Sequence, residues 1–577
     1  MRLDDTSPLD SVQLGSAGSA ALPAKDLASA NTAFNLLDLH LQSGFAELTG
    51  GVSPIALSLA FQDWFLHLAA SPGKQIELVT ALSRPASVAG DARFADSGWR
   101  TWPFDILAKS FAGTGQFWQQ ATSGVRGVAP HHAHVVNAMA TQVLDAFSPS
   151  NFFWTNPEVL RAARDSKGQS YLSGWANLTQ DLGHLQAPAT THAVGRDVAL
   201  TPGKVVYRNE LVELIQYAPQ SPTVYREPVL IVPSWILKYY ILDLSAHNSL
   251  VRYLVEQGHT VFLISWRNPD AHDRQLGMDD YLSLGLLDIL NKVARIGGTP
   301  EVHAVGYCLG GTLLAIAAAA LGSSHKGSDA SLKSVTLLAA QTDFSEPGEL
   351  GLFIDDSELN LLDAIMWKKG YLDGHQMGAS FQLLNARDMI WSRIMHQYML
   401  GIRPDTSELA AWNADTTRMP YRMHSEYLTR LFLHNDLASG RYCVQGRPVA
   451  LKDIRAPLFV LGTERDQVAP WRSVYKINLL SNAALEFVLA SGGHNAGIVS
   501  EPGHARRSYQ FMPQRAAGSA YVGPDEWLEK AQRASGSWWP HWHQWLAAHS
   551  AVEQITPPAM GAGVTLADAP GRYVLGD

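Results

Sequence analysis

The stretch that most constrains the fold of this chain is EVHAVGYCLGGTLLAIAAAAL, at Glu301–Leu321. Val302–Tyr307 has the composition of a short apolar strand, and Thr312–Leu321 that of a buried helix rich in alanine. The glycine-rich residues between them predict a tight turn with the pattern G-x-C-x-G around Cys308. The sequence therefore predicts a nucleophile elbow, in which a sharp turn between a strand and a helix exposes a nucleophilic side chain.

Cys308 occupies the position where such elbows usually carry serine. Glycines flank it because a turn this sharp leaves no room for side chains two residues to either side. The backbone N–H of Leu309, at the start of the helix, is a candidate donor to an oxyanion. The alternative is a buried cysteine that acts as a small hydrophobic residue, which is common in α/β cores.

The composition argues against several classes of protein. The 577 residues carry a net charge of −9 and no long basic run, which argues against a nucleic-acid partner. The two cysteines, Cys308 and Cys443, cannot form a disulfide framework and fit a reducing compartment. The first residues are acidic where a signal peptide would be basic, and no apolar run is long enough to span a bilayer. We therefore expect a cytoplasmic protein without a transmembrane segment.

Hydrophobic patterning divides the chain into three regions. Residues 1–30 lack periodicity and predict a flexible tail, whereas residues 31–190 show apolar side chains at helical spacing and predict a helical N-terminal domain. Residues 191–577 alternate short strands with helices, which predicts a catalytic α/β domain with a mostly parallel sheet. The connection at about 341–456 is too long for a crossover and predicts an inserted lid over the carboxyl ends of the strands.

Individual elements can be placed within these regions. Ser53 and Pro54 predict the start of a helix with Phe61, Trp64 and Phe65 on one apolar face. The predicted strands are Val229–Val232, Thr260–Trp266, Val302–Gly306, Val335–Ala339, Leu458–Gly462 and Leu485–Leu489. The predicted helices of the α/β region include Asn248–Gln257, Asp279–Ile296 and an aromatic C-terminal helix within Gly536–Leu546.

A cysteine nucleophile needs a base to form its thiolate, and the base needs a carboxylate to orient it. In an α/β-hydrolase fold the acid and then the histidine follow the nucleophile, each just past a strand. Asp466 follows the strand that ends at Gly462, and His494 lies in a glycine loop after the strand that ends near Leu489. The predicted catalytic residues are therefore Cys308, Asp466 and His494.

Other residues compete for these roles. Asp343 follows a neighbouring strand and is the alternative acid, in which case Asp466 would only cap a turn. His303 lies within a strand, where its side chain should be packed in the core. A histidine-rich segment at 131–134 has no accompanying cluster of cysteines or carboxylates, so we expect a solvated or capping role there rather than a metal site.

The chain resembles the polyhydroxyalkanoate synthases, bacterial enzymes that polymerise (R)-3-hydroxyacyl-CoA into a storage polyester. The resemblance covers about residues 145–575 and rests on many segments in the same order. They include Ser148–Phe152, Tyr207–Leu211, Lys238–Leu244, Ser265–Pro269, Gly306–Gly311, Trp412–Asp415, Val468–Trp471 and Gly536–Trp539. By this resemblance Cys308, Asp466 and His494 match the family's catalytic positions. It implies an α/β-hydrolase fold with an inserted lid or cap subdomain, preceded by a helical N-terminal domain.

Three segments depart from the family's pattern. Gln467 stands where the family usually has a histidine after the catalytic aspartate. Pro233–Lys238 differs from the family's stretch near the oxyanion hole, where the backbone N–H of Ile236 is the expected second donor. In the lid, Asn385–Asp388 carries its arginine two positions from the usual place, which puts a contact of that arginine with CoA in doubt.

The resemblance implies polymerisation of (R)-3-hydroxyacyl-CoA, with 3-hydroxybutyryl-CoA as the expected substrate, through a cysteine acyl-enzyme that releases CoA. It also implies a single-subunit, class I-like homodimer at the polyester granule surface, in contact with granule-associated proteins. The CoA thioester is the substrate, and no metal or other cofactor is expected. Two alternatives stay open: a cysteine-dependent thioesterase or polyester hydrolase, and a non-catalytic granule protein. Tyr240, Trp266 and Trp391 either shape the acyl pocket or belong to the core.

Overall fold

A mixed sheet of eleven strands forms the centre of the protein. The computed structural model describes residues 33–82, 86–183, 192–323, 329–374, 376, 390–403 and 407–576. The tail predicted for residues 1–30 lies outside these ranges, as does the Asn385–Asp388 segment.

The sheet combines a parallel centre with antiparallel edges. Its strands are β1 (Gly203–Arg208), β2 (Val212–Tyr217), β3 (Val229–Val232), β4 (Val261–Trp266), β5 (Glu301–Tyr307), β6 (Ser331–Leu338), β7 (Leu458–Thr463), β8 (Leu485–Ala490), β9 (Ser508–Phe511), β10 (Gln532–Ser535) and β11 (Ala567–Asp568). They lie in the order β10-β9-β8-β7-β6-β5-β3-β4-β2-β1-β11. The six strands from β8 to β4 are parallel, and the other pairings are antiparallel. All six predicted strands are found, and they are the six parallel ones.

Helices cover both faces of the sheet and form the region before it. They are α1 (Ala33–Leu48), α2 (Pro54–Ala69), α3 (Pro72–Leu82), α4 (Phe104–Thr122), α5 (Pro130–Ala146), α6 (Pro157–Asp165), α7 (Gln169–Gly183), α8 (Leu250–Glu256), α9 (Asp288–Gly297), α10 (Leu309–Gly322), α11 (Asp356–Lys369), α12 (Glu408–Ala414), α13 (Tyr421–Tyr427), α14 (Trp471–Tyr475), α15 (Ile477–Leu480), α16 (Pro524–Lys530) and α17 (Trp539–Ala548). The π-helical segments Tyr281–Leu287, Met395–Met399 and Leu428–Leu433 adjoin them. In the described part of the chain, no helix combines the length and hydropathy that a bilayer crossing requires.

The N-terminal helices pack mainly on the segment inserted between β6 and β7. Helix α1 lies against α11, and α7 lies against Met395–Met399. The backbone N–H of Ser53 donates to both carboxylate oxygens of Glu358, each at 2.9 Å. At the other end, a Cβ added at Gly174 would lie 2.0 Å from the backbone oxygen of Tyr398, so the two helices are in direct backbone contact. The helical region therefore rests on the insertion.

Helix α2 begins where the sequence predicts. Ser53 caps it, and its Oγ accepts the backbone N–H of Ala56 at 3.2 Å. Of the predicted apolar face, Trp64 is buried while Phe61 and Phe65 are each about half exposed. Only part of the apolar face is buried, because α3, α4 and α5 cover only one side of α2.

The C-terminal helix α17 places its aromatic side chains against the sheet, as predicted. Trp539, Trp542 and Trp545 are buried, and the indole N–H of Trp542 donates to Thr336 Oγ1 of β6 at 3.0 Å. His303 of β5 is also buried, and its ring binds the hydroxyls of Ser334 and Ser550. The prediction that His303 packs in the core is confirmed.

A buried histidine between the sheet and α17 makes the stability depend on pH. His259 is 1% exposed and stacks on Tyr225 at 4.6 Å, and neither of its ring nitrogens has a partner among the described residues. Burial, followed by the charges of His543 and His303, lowers the pKa of His259 well below its ordinary range. In the unfolded protein this histidine binds a proton below about pH 6.5, whereas in the folded protein it stays neutral. The folded state therefore loses stability relative to the unfolded state as the pH falls below this value.

We expect this histidine to lower the free energy of unfolding by about 1.3 kcal/mol between pH 7 and pH 5.5. His259→Phe keeps the stacked ring without the titrating nitrogens, so its urea midpoint should fall less than that of the parent protein over this range. Midpoints measured at both pH values test this, and an equal fall in the two proteins would contradict it.

Candidate active site

Cys308 lies at the junction between β5 and α10. Its φ of +53° is unusual for a residue with a side chain, and its backbone N–H donates to Leu338 O of the neighbouring strand at 2.9 Å. Such backbone strain persists only where the surrounding structure enforces it. The predicted strand, turn and helix are all present, and the turn projects the cysteine from the carboxyl edge of the parallel strands.

The flanking glycines are required by close backbone packing. A Cβ added at Gly306 would lie 2.4 Å from Gly311 Cα, and one at Gly310 would lie 2.1 Å from Val232 O. Both distances are too short for any side chain. The steric explanation of the G-x-C-x-G pattern is therefore confirmed.

Gly310→Ala should therefore displace the backbone that supports the candidate site. The added methyl group would push on Val232 and Pro233, just before the loop that carries Ile236. We expect a loss of about 1–3 kcal/mol in stability, together with a fall in activity of at least about tenfold. Gly115→Ala in α4 is the control, because an added Cβ there meets nothing within 4 Å. Similar melting temperatures and activities in the two variants would show that the contact is unimportant.

The structure brings Asp466 and His494 into direct contact. His494 Nδ1 and Asp466 Oδ2 are 2.8 Å apart. Asp466 is buried and accepts three further hydrogen bonds, from Thr463 Oγ1 at 2.8 Å and from the backbone N–H groups of Val468 and Ala469 at 2.9 and 2.7 Å. The carboxylate thus caps a turn and orients the imidazole at the same time.

Asp343, the alternative acid, has other hydrogen-bond partners. Its Oδ1 accepts hydrogen bonds from Ser345 and from Asn435 Nδ2, and no contact with His494 is among those that the structure gives. The geometry thus favours Asp466 over Asp343 as the partner of the histidine.

The electrostatic surroundings of His494 favour its protonated form. Burial opposes a charge on the ring, but the Asp466 carboxylate and then the neighbouring Cys308 side chain raise the pKa of His494 well above its ordinary range. The Cys308 side chain is close enough to the imidazole to contribute to this rise. Since Nδ1 is bound to Asp466, the other ring nitrogen is the one that can exchange a proton with the sulfur.

Two backbone N–H groups were predicted to bind an oxyanion. Leu309 is the first residue of α10, where no carbonyl of the preceding turn of the helix is available to its N–H. The N–H of Ile236 makes a long hydrogen bond of 3.3 Å with Ser234 Oγ. The loop around Ile236 is fixed by Thr417, whose N–H donates to Ile236 O and whose hydroxyl donates to Trp235 O. The role of both N–H groups stays a prediction.

A hydrogen-bond chain beside the histidine was missed by the sequence analysis. Tyr307, just before the cysteine, donates its hydroxyl to Asn495 Oδ1 at 2.6 Å, and Asn495 Nδ2 donates to Asn413 Oδ1 at 3.0 Å. This chain ties the loop of His494 both to the elbow and to the inserted segment. The available signal was the Trp412–Asp415 segment, which had been noted only for its resemblance.

The remaining candidates have structural partners. Tyr240 is buried and donates its hydroxyl to Asp415 at 2.9 Å, and buried Trp266 donates to Pro233 O at 2.9 Å. His132 binds Asp63 at 2.7 Å in the N-terminal region. Within the described ranges no three or more His, Cys, Asp or Glu side chains are grouped closely enough to hold a metal ion.

Comparison with known protein families covers most of the chain. Residues 32–74 match the model of the poly-beta-hydroxybutyrate polymerase N terminal region, and residues 90–254 match that of the N-terminus of the poly-beta-hydroxybutyrate polymerase PhaC. Residues 227–501 match the alpha/beta hydrolase fold. The predicted fold class is therefore confirmed.

Curated relatives extend the match along the chain. The poly(3-hydroxyalkanoate) polymerase of Methylorubrum extorquens is 38% identical over 494 residues, which cover 84% of this chain and 80% of the relative. The polymerase subunit of Rhizobium etli is 37% identical, over 84% of this chain and 76% of the relative. That of Cupriavidus necator is 35% identical, over 84% and 83% respectively. On this evidence the chain belongs to the poly(3-hydroxyalkanoate) polymerase family.

Proposed function

We propose that this protein polymerises (R)-3-hydroxyacyl-CoA into polyhydroxyalkanoate and releases CoA, with Cys308, His494 and Asp466 as its catalytic residues. The observation that carries this proposal is the strained cysteine at the elbow beside His494, whose imidazole is bound to buried Asp466. A nucleophile, a base and an orienting acid are the parts that covalent acyl transfer requires.

In the first half-reaction, His494 takes the proton of the Cys308 thiol, and the sulfur attacks the thioester carbonyl of the substrate. A carbon–sulfur bond to Cys308 forms, the bond to the CoA sulfur breaks, and CoA leaves with the proton held by His494. One thioester replaces another, so the acyl group remains reactive. The N–H groups of Leu309 and Ile236 would stabilise the negative oxygen of the tetrahedral intermediate.

In the second half-reaction, His494 accepts the proton of a 3-hydroxyl group, and that oxygen attacks the acyl-cysteine. An ester bond forms, the bond to Cys308 breaks, and the sulfur recovers its proton from His494. Each cycle lengthens the polyester by one unit. These steps exchange groups between sulfur and oxygen without oxidation or reduction, so the reaction calls for no redox cofactor.

We also propose that the protein acts in the cytoplasm as a homodimer at the surface of polyester granules, where granule-associated proteins can reach it. Large apolar side chains exposed on the N-terminal helices support the granule association. They include Leu41, Phe45, Ile55, Phe61, Phe65, Leu66, Ile76 and Val79. An exposed apolar surface of this kind is suited to contact with a hydrophobic polymer.

The test is to measure CoA release from (R)-3-hydroxybutyryl-CoA by the purified protein, together with the identity of the product. Release with insoluble polyester that depolymerises to 3-hydroxybutyrate supports the proposal. Release with soluble 3-hydroxybutyrate alone would identify a thioesterase instead. An absence of release with both short and medium acyl chains would identify a non-catalytic granule protein.

A further inference from the structure

One short stretch of the insertion, the 412–417 segment, is bound to the loop that follows β3. Trp412 at its start donates its indole N–H to Lys238 O at 2.7 Å. Thr417 at its end donates its backbone N–H to Ile236 O at 3.1 Å. The segment thus holds the backbone of the loop that carries the predicted second oxyanion donor.

The same segment also reaches the loop of the candidate base. Asn413 Oδ1 accepts a hydrogen bond from Asn495 Nδ2 at 3.0 Å, and Asn495 directly follows His494 in the sequence. Asn495 Oδ1 in turn accepts the hydroxyl of Tyr307 at 2.6 Å. The 412–417 segment therefore connects the loop after β3 with the loop that carries the histidine.

The two partners of the Asn495 amide are themselves fixed in place. Tyr307 is buried, and its ring centroid lies 5.7 Å from that of His494. Burial raises the pKa of Tyr307 well above its ordinary range, so its hydroxyl keeps its proton and remains a donor. Asn413 adjoins Trp412, which is buried. The amide of Asn495 is consequently held from both sides.

The backbone of the histidine loop has its own hydrogen bonds, which do not use this amide. The carbonyl of Asn495 accepts the N–H groups of Ile498 and Val499, each at 3.1 Å. The indole N–H of Trp538 donates to Gly497 O at 2.9 Å. These bonds would survive a change of the Asn495 side chain. The amide is therefore not needed to form the loop, and its hydrogen bonds bear on where the histidine lies.

Resting on the proposed function, we infer that Asn495 and Asn413 are positioning residues, whose hydrogen bond places His494 relative to the oxyanion donors and the Cys308 sulfur. The histidine and the oxyanion donors act at the same reacting centre, so their relative placement governs the chemical step more than substrate binding. A displacement of about 1 Å is enough to cost about a hundredfold in rate. Neither amide is a catalytic residue, because both act through the histidine.

The first test uses a matched pair of variants. Asn413→Ala removes the acceptor of the hydrogen bond, whereas Asn413→Asp keeps an oxygen for Asn495 Nδ2. With (R)-3-hydroxybutyryl-CoA, the alanine variant should lose about five- to tenfold in kcat with KM within about twofold, and the aspartate variant should stay within about threefold of the parent protein. The control is Asn360→Ala, at an exposed asparagine of α11 whose amide lies 3.4 Å from Gln42 Oε1. Equal kcat values in Asn413→Ala and Asn360→Ala would overturn the inference.

The second test asks whether the two amides act together. Asn495→Ala removes both hydrogen bonds of the side chain and should lower kcat by about thirtyfold. Adding Asn413→Ala to it should cost no more than a further twofold or so, because the bond between the amides is already absent. Losses that multiply in the double variant would contradict a shared role.

An NMR titration of the His494 imidazole separates positioning from simple stabilisation of the fold. In Asn495→Ala the contact between His494 Nδ1 and Asp466 should loosen, so the raised pKa of His494 should fall while the urea midpoint stays parental. A lower midpoint with a parental titration would show that the amide only stabilises the loop, which would refute the inference. If Asn495→Ala does not fold, the same two measurements on Asn413→Ala decide, because Asn413 is exposed.

These experiments also distinguish a failure of this inference from a failure of the proposed function. The titration uses no substrate and so does not depend on which reaction is catalysed. Slower CoA release by Asn413→Ala, with soluble 3-hydroxybutyrate as the product of both proteins, would refute the polymerase and retain the positioning role. Polymer synthesis at equal rates by Asn413→Ala and the parent protein would refute the positioning role and retain the polymerase.

Discussion

Replacing Cys308 with alanine should abolish CoA release, with a loss of at least about a thousandfold in kcat. The residue is the only nucleophile at the elbow, and its removal leaves His494 with no thiol to deprotonate. Cys308→Ala should fold normally, because the thiol is replaced by a smaller side chain in a position where the backbone conformation is already enforced by its neighbours. Stopped-flow or discontinuous detection of free CoA provides the measurement.

The control for this experiment is Cys443→Ala. Cys443 is partly exposed on a short strand, where its sulfur is 3.5 Å from Arg441 O, far along the chain from the elbow. Its loss should leave activity within about twofold. Intact-protein mass spectrometry should detect an acyl adduct on the parent and Cys443→Ala proteins but not on Cys308→Ala. An adduct that survives in Cys308→Ala would show that another residue is the nucleophile.

Asp466→Asn should lower kcat by about 10³- to 10⁴-fold with a much smaller effect on KM. The asparagine can preserve the turn by accepting the N–H groups of Val468 and Ala469, but it cannot hold His494 with a negative charge. The pKa of His494 should therefore fall from its raised value, because the Asp466 carboxylate is the main group that raises it and asparagine carries no charge. An NMR titration of the imidazole would report this fall directly.

Asp343→Asn is the matched control, since this aspartate was the alternative acid in the sequence. Its partners are Ser345 and Asn435 rather than His494. We expect its activity to stay within about threefold of the parent protein and the pKa of His494 to be unchanged. A larger loss in Asp343→Asn than in Asp466→Asn would reverse the assignment of the acid.

The parts of the fold that could be predicted from the sequence are those with local signals. The six parallel strands are short apolar runs, and the elbow has glycines whose positions follow from steric contacts only a few residues apart. Asp466 and His494 could be placed because each follows such a strand directly. Parallel strands present their carboxyl ends at one edge, so residues distant in the sequence meet there.

The antiparallel strands β1 and β2 were not predicted because polar residues interrupt their pattern. Glu213 and Gln216 are buried in β2. Glu213 pairs with Arg208 of β1, and both residues also bind the C-terminal segment. Glu213 accepts the N–H groups of Arg572 and Tyr573, and Gln216 accepts that of Gly561. No local pattern reveals a buried polar residue whose partner lies more than 300 residues away.

The surroundings of the candidate site escaped prediction for a similar reason. Tyr307, Asn495 and Asn413 form one hydrogen-bond chain from three separate segments. A mostly apolar cavity is likewise lined by the loop at 50–52, Ile236 and α13. Each of these residues is unremarkable in its own stretch of sequence, and only the tertiary structure gives it a partner.

The contact between the N-terminal helices and the insertion has a practical consequence for protein engineering. Ala46 of α1 forms a small apolar cluster with Leu361 and Ile365 of α11, and Ser53 supplies the N–H that binds Glu358. A truncated protein that lacks α1 and α2 would expose this cluster to water and leave the buried Glu358 carboxylate without its donor. Domain swaps between relatives should therefore exchange the N-terminal helices together with the insertion, as a single cassette.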